Sequence, residues 1–562
     1  MPRQVNAAES GQNSFTGGVR IRVRIRPRNG QQARLSPASS QVMMYRSHPR
    51  RNLRMTAKSV PLALGLVVAS AAAYAQDAGT DSSPIRTMSI VPRVSVTETL
   101  TNNVQLTSVN PQSDLVTEVT PGIRVNSQGA RLKGYLDYSV DKIMYAQSSA
   151  SNQYQRALNT AGTLEAIDNW AYIDFSGSIS RQAISPFGTP SISNTAINTN
   201  QTEVSSYQIS PYVRGRLGDV ANYEARYSRA ITRSDAGPFS DVNSTNGTAK
   251  ISGNTAISGL GWSADASQQN IDYSNSLPAE ADRFTVGPSY AITPQLHVSA
   301  NAGRELNNYT TPDKQSYSTS GVAVNWTPSP TTTLSASREL RSFGETHNVN
   351  LEHRTGRTVW KFTDTKDILQ AQGQTGVANL GSIYGLLYSQ FASIEPDPTA
   401  RAQLVNAFLQ ANGLNPNATA VSNFLTSAVS LQRQQELSFA LLGVRDTITF
   451  AATKLESSGL NAASTAANNL NNPLFFNQFG FSVNYTHRLT PDYSLGVMAS
   501  QQHTSALGQS NSQDGRLRSL NLNVSGKVGK QSTASIGFRR VVYSAATPYN
   551  ESAVFGTLIV QF

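Results

Sequence analysis

The sequence predicts an all-β fold, a large transmembrane antiparallel β-barrel of about 22 strands carrying a helical loop insertion. Three observations point there: apolar and polar residues alternate with period two along most of the chain, short turns alternate with long polar connections, and the last strand closes on a C-terminal aromatic, Phe562.

The alternation is clearest in four runs. Tyr493, Leu495, Val497 and Ala499 alternate with Ser494, Gly496, Met498 and Ser500, and Leu296, Val298, Ala300 and Ala302 with His297, Ser299, Asn301 and Gly303. Ala221, Tyr223, Ala225 and Tyr227 stand against Asn222, Glu224, Arg226 and Ser228, and Leu520, Leu522 and Val524 against Asn521, Asn523 and Ser525. In a strand, successive side chains point to opposite faces, so each run has one apolar and one hydrated face. Charged residues are only 14% of the chain and its apolar residues are scattered, which argues against a set of globular cores. The chain has no cysteine, which excludes disulfides, thiolate metal sites, a lipoprotein anchor and a Cys nucleophile.

A soluble sandwich also alternates, so the connections discriminate. Pro294, Pro328 and Pro491 recur in Thr-Pro turns, where a fixed φ and a missing donor suit a tight reversal at a strand end. Further short turns fall near Leu217-Gly218-Asp219, Ser258-Gly259-Leu260 and 526–530; between them lie longer polar connections at 183–202, 233–246 and 504–514. That asymmetry is expected of periplasmic turns and extracellular loops. At the end of the chain Val554, Leu558, Val560 and Phe562 share one face. They resemble the targeting signal of outer-membrane barrels, which implies folding by the barrel-assembly machinery and pairing of the last strand with the first. Closure matters because an open sheet edge in lipid leaves backbone groups unpaired.

The formal net charge is +11, but residues 1–75 hold twelve basic residues and one acid, so the remainder carries equal numbers of each sign. A nucleic-acid partner is therefore not expected. Residues 55–75 read as a signal peptide: basic residues up to Lys58 precede a short apolar run, and Ala73 and Ala75 frame the cleavage site. Residues 1–54 are an arginine-laden extension, and Met43, Met44 or Met55 would be the natural start. The mature barrel is then 76–562, in the outer membrane of a Gram-negative bacterium, with outer-membrane lipid as its first partner.

One segment, 366–434, breaks the pattern. Ile368, Leu369, Ile383, Leu386, Leu387 and Phe391, then 402–409 and 421–431, have helical spacing, interrupted by Pro396, Pro398, Gly413 and Pro416. Tracing strands back from a periplasmic Phe562 places this insertion outside the cell, as a plug of the lumen or a packed surface loop.

Strand parity makes Lys133, Asp137, Asp141, Arg214, Arg216, Glu224, Arg226, Glu339, Arg341, Glu352, Arg354 and Arg539 candidate lumen-lining residues. On a lipid face each charge would cost about 2–4 kcal/mol near the midplane. Their balanced signs favour cross-strand ion pairs that stiffen the wall over a path selective for anions. Beyond the extension, the histidines His297, His347, His353, His487 and His503 lack metal-ligand spacing, and no nucleophile elbow, phosphate loop or dinucleotide turn occurs. No enzyme activity, cofactor or metal is expected.

The stretches Ile184-Ser185-Pro186-Phe187-Gly188, Tyr212-Val213-Arg214-Gly215-Arg216-Leu217-Gly218, Tyr223-Glu224-Ala225-Arg226-Tyr227-Ser228 and His353-Arg354-Thr355-Gly356-Arg357-Thr358-Val359-Trp360 resemble the outer-membrane proteins associated with the PEP-CTERM and exosortase system. The resemblance spans nearly the whole mature chain and implies a link to exopolysaccharide and extracellular matrix, with exopolysaccharide or export-system proteins as partners. It carries no functional residues. Three readings stay open: a channel or export conduit for such a polymer, a non-conducting scaffold or adhesin, and a general porin.

Overall fold

The computed structural model describes residues 88–235, 241–274, 277–368, 429–460, 475–506 and 514–562, with Tyr388, Phe391, Glu395, Arg401, Ala402, Leu404, Val405 and Asn406. The expected signal peptide with Ala73 and Ala75, and the expected extension before it, lie outside these.

The described residues form 22 strands. The first eight are β1 (Met88–Thr101), β2 (Asp114–Gln128), β3 (Leu132–Tyr145), β4 (Gln153–Ile167), β5 (Ala171–Ala183), β6 (Gln201–Leu217), β7 (Ala221–Ser234) and β8 (Val242–Asn254). There follow β9 (Leu260–Tyr273), β10 (Ala279–Thr293), β11 (Leu296–Asn307), β12 (Gln315–Ser329), β13 (Thr332–Arg341), β14 (Gly344–Arg354) and β15 (Thr358–Ile368). The last are β16 (Ser430–Leu442), β17 (Asp446–Gly459), β18 (Phe476–Arg488), β19 (Tyr493–Ala506), β20 (Gly515–Lys527), β21 (Ser532–Ser544) and β22 (Tyr549–Gln561). Each pairs antiparallel with its sequence neighbours, and β1 pairs with β22 from Arg93 opposite Gln561 to Thr101 opposite Ala553. The sheet is therefore a closed barrel with no free edge, the condition for a β-structure to span a bilayer.

Connections differ by rim. Those leaving even-numbered strands are no longer than 255–259, and glycines at positive φ, Gly218 and Gly259, sit in two of them. The opposite rim carries 102–113, 184–200, 369–429 and 460–475. β1 begins and β22 ends on the short-turn rim. The Thr-Pro turns at Pro294 and Pro491 fall between strands, but Pro328 is inside β12, whose reversal comes two residues later at 330–331. The segment 366–434 begins and ends as barrel wall: β15 runs to Ile368 and β16 starts at Ser430, because ladder pairing of Ile368 with Leu431 through Lys366 with Arg433 extends both strands. Tyr388, Phe391, Arg401, Ala402 and 404–406 are helical. The insertion joins β15 to β16 on the long-loop rim.

The outer face is apolar. On β10 it presents Phe284, Val286 and Tyr290, on β12 Val322 and Trp326, and on β20 Leu520, Leu522 and Val524, all exposed to the surroundings of the barrel. Such a continuous exposed apolar belt has no place on a soluble protein and matches hydrocarbon. All four tryptophans stand within a few residues of short turns: Trp170 directly before β5, Trp262 and Trp360 near the starts of β9 and β15, and Trp326 near the end of β12. Trp170 donates its indole N–H to the Tyr223 hydroxyl at 2.9 Å, and Trp360 packs on Phe439 at 4.3 Å between ring centroids. Amphipathic rings gathered at one level mark the membrane interface on that side. The chain is an outer-membrane β-barrel.

Candidate functional site

The candidate site is the lumen, whose wall is the polar face of every strand. Among the residues singled out from sequence, Lys133, Asp137, Asp141, Arg214, Arg216, Glu224, Arg226, Glu339, Arg341, Glu352, Arg354 and Arg539 stand on the face opposite the apolar belt. Val554, Leu558 and Val560 stand on the outer face of β22, and Phe562 follows with its N–H donated to the carbonyl of Pro92 at 3.0 Å.

The structure draws most of the lumen residues into separate ion pairs rather than one cluster. Asp137 accepts from Arg93 at 2.9 Å and from Arg124 at 2.9 Å. Arg226 reaches Asp174 at 2.6 Å and Glu224 at 3.3 Å, with its guanidinium 3.8 Å from the Tyr212 ring centre. Glu339 pairs with Arg283, and Glu352 with Arg354 at 3.4 Å. Arg341 grips Glu305 at 2.6 Å and Asp367 at 2.9 Å, while Arg539 holds Glu551 at 2.8 Å, itself bonded by the Thr101 hydroxyl at 3.1 Å. The partners Arg93, Arg124, Asp174, Arg283, Glu305, Asp367 and Glu551 went unnamed in the sequence reading, although the same alternation places them on the inner face. Lys133 and Arg216 form no such pair among the described residues, and Arg214 instead lies 4.4 Å from the Tyr172 ring centre, stacked in turn on Tyr212. A recess of about 460 Å³ is lined by Glu224, Thr248, Lys250, Asp265, Arg283 and Asn301. This wall offers both signs and many neutral donors and acceptors, which suits a polar, hydroxyl-rich solute better than a purely anionic one.

The connection 184–200 folds inward and reaches across the barrel. Its neck is closed by Ile184 N–H to Asn200 O at 2.9 Å and by the Asn200 amide to Ser185 O at 3.0 Å. From there Phe187, with Leu455 of β17, packs against the buried pair Ala183 of β5 and Phe476 of β18. Tyr549 of β22 donates to Pro190 O at 2.7 Å, Gln155 of β4 to Asn194 O at 3.0 Å, and Tyr145 of β3 to Thr195 O at 3.0 Å. Ala196 and Ile192 join Leu106, Leu517, Val541, Tyr543 and Tyr549 in an apolar cluster, and Ile197 N–H bonds Val104 O at 2.8 Å, tying this strap to the inturned connection 102–113. Elsewhere at the same end, Tyr309, Ile368 and Val429 pack on Val242, Ile271, Tyr273, Ala279 and Ala281. The strap was legible as a polar loop only; its signal was the spacing of Phe187, Ile192, Ala196 and Ile197 among polar residues.

Among the described residues no group of three or more His, Asp or Glu is placed to hold a metal ion. His347 and His487 each bond a carboxylate, Asp364 at 3.0 Å and Asp446 at 2.7 Å, which Arg433 and Tyr485 respectively also bond.

No family model and no curated protein matches the chain. Among solved structures it is similar to the siderophore receptor PirA from Pseudomonas aeruginosa, 10% identical, covering 84% of this chain and 80% of that one, with a TM-score of 0.39. It is also similar to BauA, the ferric preacinetobactin receptor from Acinetobacter baumannii, at 10% identity, 84% and 80% coverage and a TM-score of 0.44. The FrpB iron transporter from Neisseria meningitidis, apoprotein form, matches at 10% identity, 84% and 81% coverage and a TM-score of 0.45. The likeness is one of barrel architecture.

Proposed function

We propose that this barrel is a gated conduit for a polar envelope polymer of the exopolysaccharide type. One observation carries the reading: a lumen lined by charged and neutral hydrogen-bonding groups is entered at the long-loop end by a strap, 184–200, tethered to the wall by individual hydrogen bonds and small apolar clusters. A wall built only for stiffness needs no such strap. The polymer class rests on the resemblance to the exosortase-associated outer-membrane proteins and on the neutral hydrogen-bonding capacity of the wall. The test is planar-bilayer recording of the purified protein beside a variant lacking 186–198. The variant should conduct steadily and the full chain only in brief openings; a variant as silent as the full chain would overturn the reading.

The packing of the strap also favours a second reading, a non-conducting scaffold or adhesin whose long-loop rim binds polysaccharide or a protein partner. It expects lost surface attachment when 370–428 is removed, with conductance unchanged.

A further inference from the structure

Above the apolar belt, on the long-loop side, the outer face turns polar. On β20 the outward row runs Arg516, Arg518, Leu520, Leu522, Val524 from rim to short turn. Arg540 stands opposite Leu520 on β21 and opposite Ser552 on β22, while β19 sets Gln501 opposite Arg518 and His503 opposite Arg516. Three guanidiniums thus rise from two neighbouring strands at the line where apolar side chains give way to polar ones. Arg518 is diagonal to Arg540 and two residues from Arg516 along its own strand, spacings of about 5–8 Å, so it can share a tetrahedral anion with either long side chain.

Several basic side chains at this level are neutralised. Arg156 pairs with Glu203 at 2.5 Å, Arg338 with Glu345 at 2.6 Å, Arg433 with Asp364 at 2.7 Å, and Lys314 with Glu280 at 2.8 Å and Asp282 at 2.9 Å. The trio is different. Arg518 Nε bonds Gln501 Oε1 at 3.1 Å and Arg540 Nη1 bonds Ser552 Oγ at 2.6 Å, both neutral, and Arg516 is exposed. Among the described residues none of the three forms an ion pair, although Asp514 lies two positions before Arg516. Like charges held together beside hydrocarbon raise the energy of the bare barrel, and an anion that itself resides at that depth would relieve it.

We infer that Arg516, Arg518 and Arg540 form a docking site for a phosphorylated glycolipid of the outer leaflet. Its phosphate would sit in the guanidinium fork geometry, and its acyl chains would lie on Leu520, Leu522, Phe538 and Val554 directly below. A free phosphate would gain the first contact only.

The test uses the full chain in detergent micelles, with bisphosphorylated lipid A and the same lipid stripped of phosphate as probes. The intact protein should bind the phosphorylated lipid about tenfold or more tightly than the stripped one, as charge-assisted bonds to phosphate require. The Arg516→Gln, Arg518→Gln, Arg540→Gln triple variant should lose that preference, and Arg156→Gln should keep it. Equal binding of both lipids by the intact protein overturns the site. So does an unchanged preference in the triple variant with heat-modifiable mobility intact, or displacement of the lipid by millimolar inorganic phosphate. Should the triple variant fail to fold, the two-lipid comparison on the intact protein decides alone.

Discussion

The phenol of Tyr549, on the last strand, donates a 2.7 Å hydrogen bond to the carbonyl oxygen of Pro190, in the strap that grows from β5 and β6. Tyr549 is 2% exposed, so the bond is made in a dry environment, five strands round the barrel from the strap's root at β5. On the proposed gating, contacts of this kind between strap and wall would set the balance between a closed and an open end.

Tyr549→Phe keeps the ring in its apolar cluster and deletes this one bond. Net loss of such a bond is about 1 kcal/mol, roughly a fivefold shift towards the open state. Single-channel open probability should rise accordingly, with the electrophoretic heat shift unchanged. A folded variant with unaltered recordings would show that the strap does not gate.

The ion pairs of the wall make a second claim. Glu305 is fully buried and is held by Arg341, which also bonds Asp367. Arg341→Ala leaves the buried Glu305 carboxylate without its ion partner and should cost about 3–5 kcal/mol, whereas Arg341→Met combined with Glu305→Leu removes the buried pair together and should cost far less. The urea midpoint of the heat-modifiable band reads both. Equal losses in the two variants would mean that charge burial is not the source of the effect.

The barrel was legible because its code is short-range. Leu520, Leu522 and Val524 against Asn521, Asn523 and Ser525 declare two faces within six residues, and the strand number followed from repeating that reading. Polar stretches hid boundaries: Asn243 to Asn246 read as loop but form β8, because the ladders to β7 and β9 supply the pairing that their propensity does not. Ion partners such as Arg93 and Asp137 lie 44 residues apart, and parity gives the face of each but not which two meet. The strap's inward fold depends on contacts with β17, β18 and β22, which no local pattern encodes. Outward charges such as Asp364 with Arg433 escaped as well, since the expectation that charge faces inward holds only at the depth of the hydrocarbon.

Depth can be probed on one strand. Val322 and Ala323 are neighbours in β12 on opposite faces, Val322 being 60% exposed within the apolar belt. Val322→Arg should cost about 2–4 kcal/mol in lipid-reconstituted unfolding, while Ala323→Arg, directed at the hydrated lumen, should cost much less. Equal costs would contradict the assignment of the belt to hydrocarbon.

The last claim separates the making of the barrel from its stability. Phe562 stands beyond β22 with its ring 37% exposed, and the bond that holds this residue to Pro92 comes from its backbone, not its ring. Phe562→Ala should therefore alter the equilibrium stability of the folded barrel by no more than about 1 kcal/mol, as for a partly exposed side chain. If the terminal aromatic is what the barrel-assembly machinery reads, the same variant should accumulate poorly in the outer membrane of cells yet refold into lipid vesicles with the yield of the parent. Vesicle yield and cellular level should be measured side by side. A parallel fall in both would assign Phe562 to packing, because closure of β1 on β22 would then itself depend on the ring, and the targeting role would be lost.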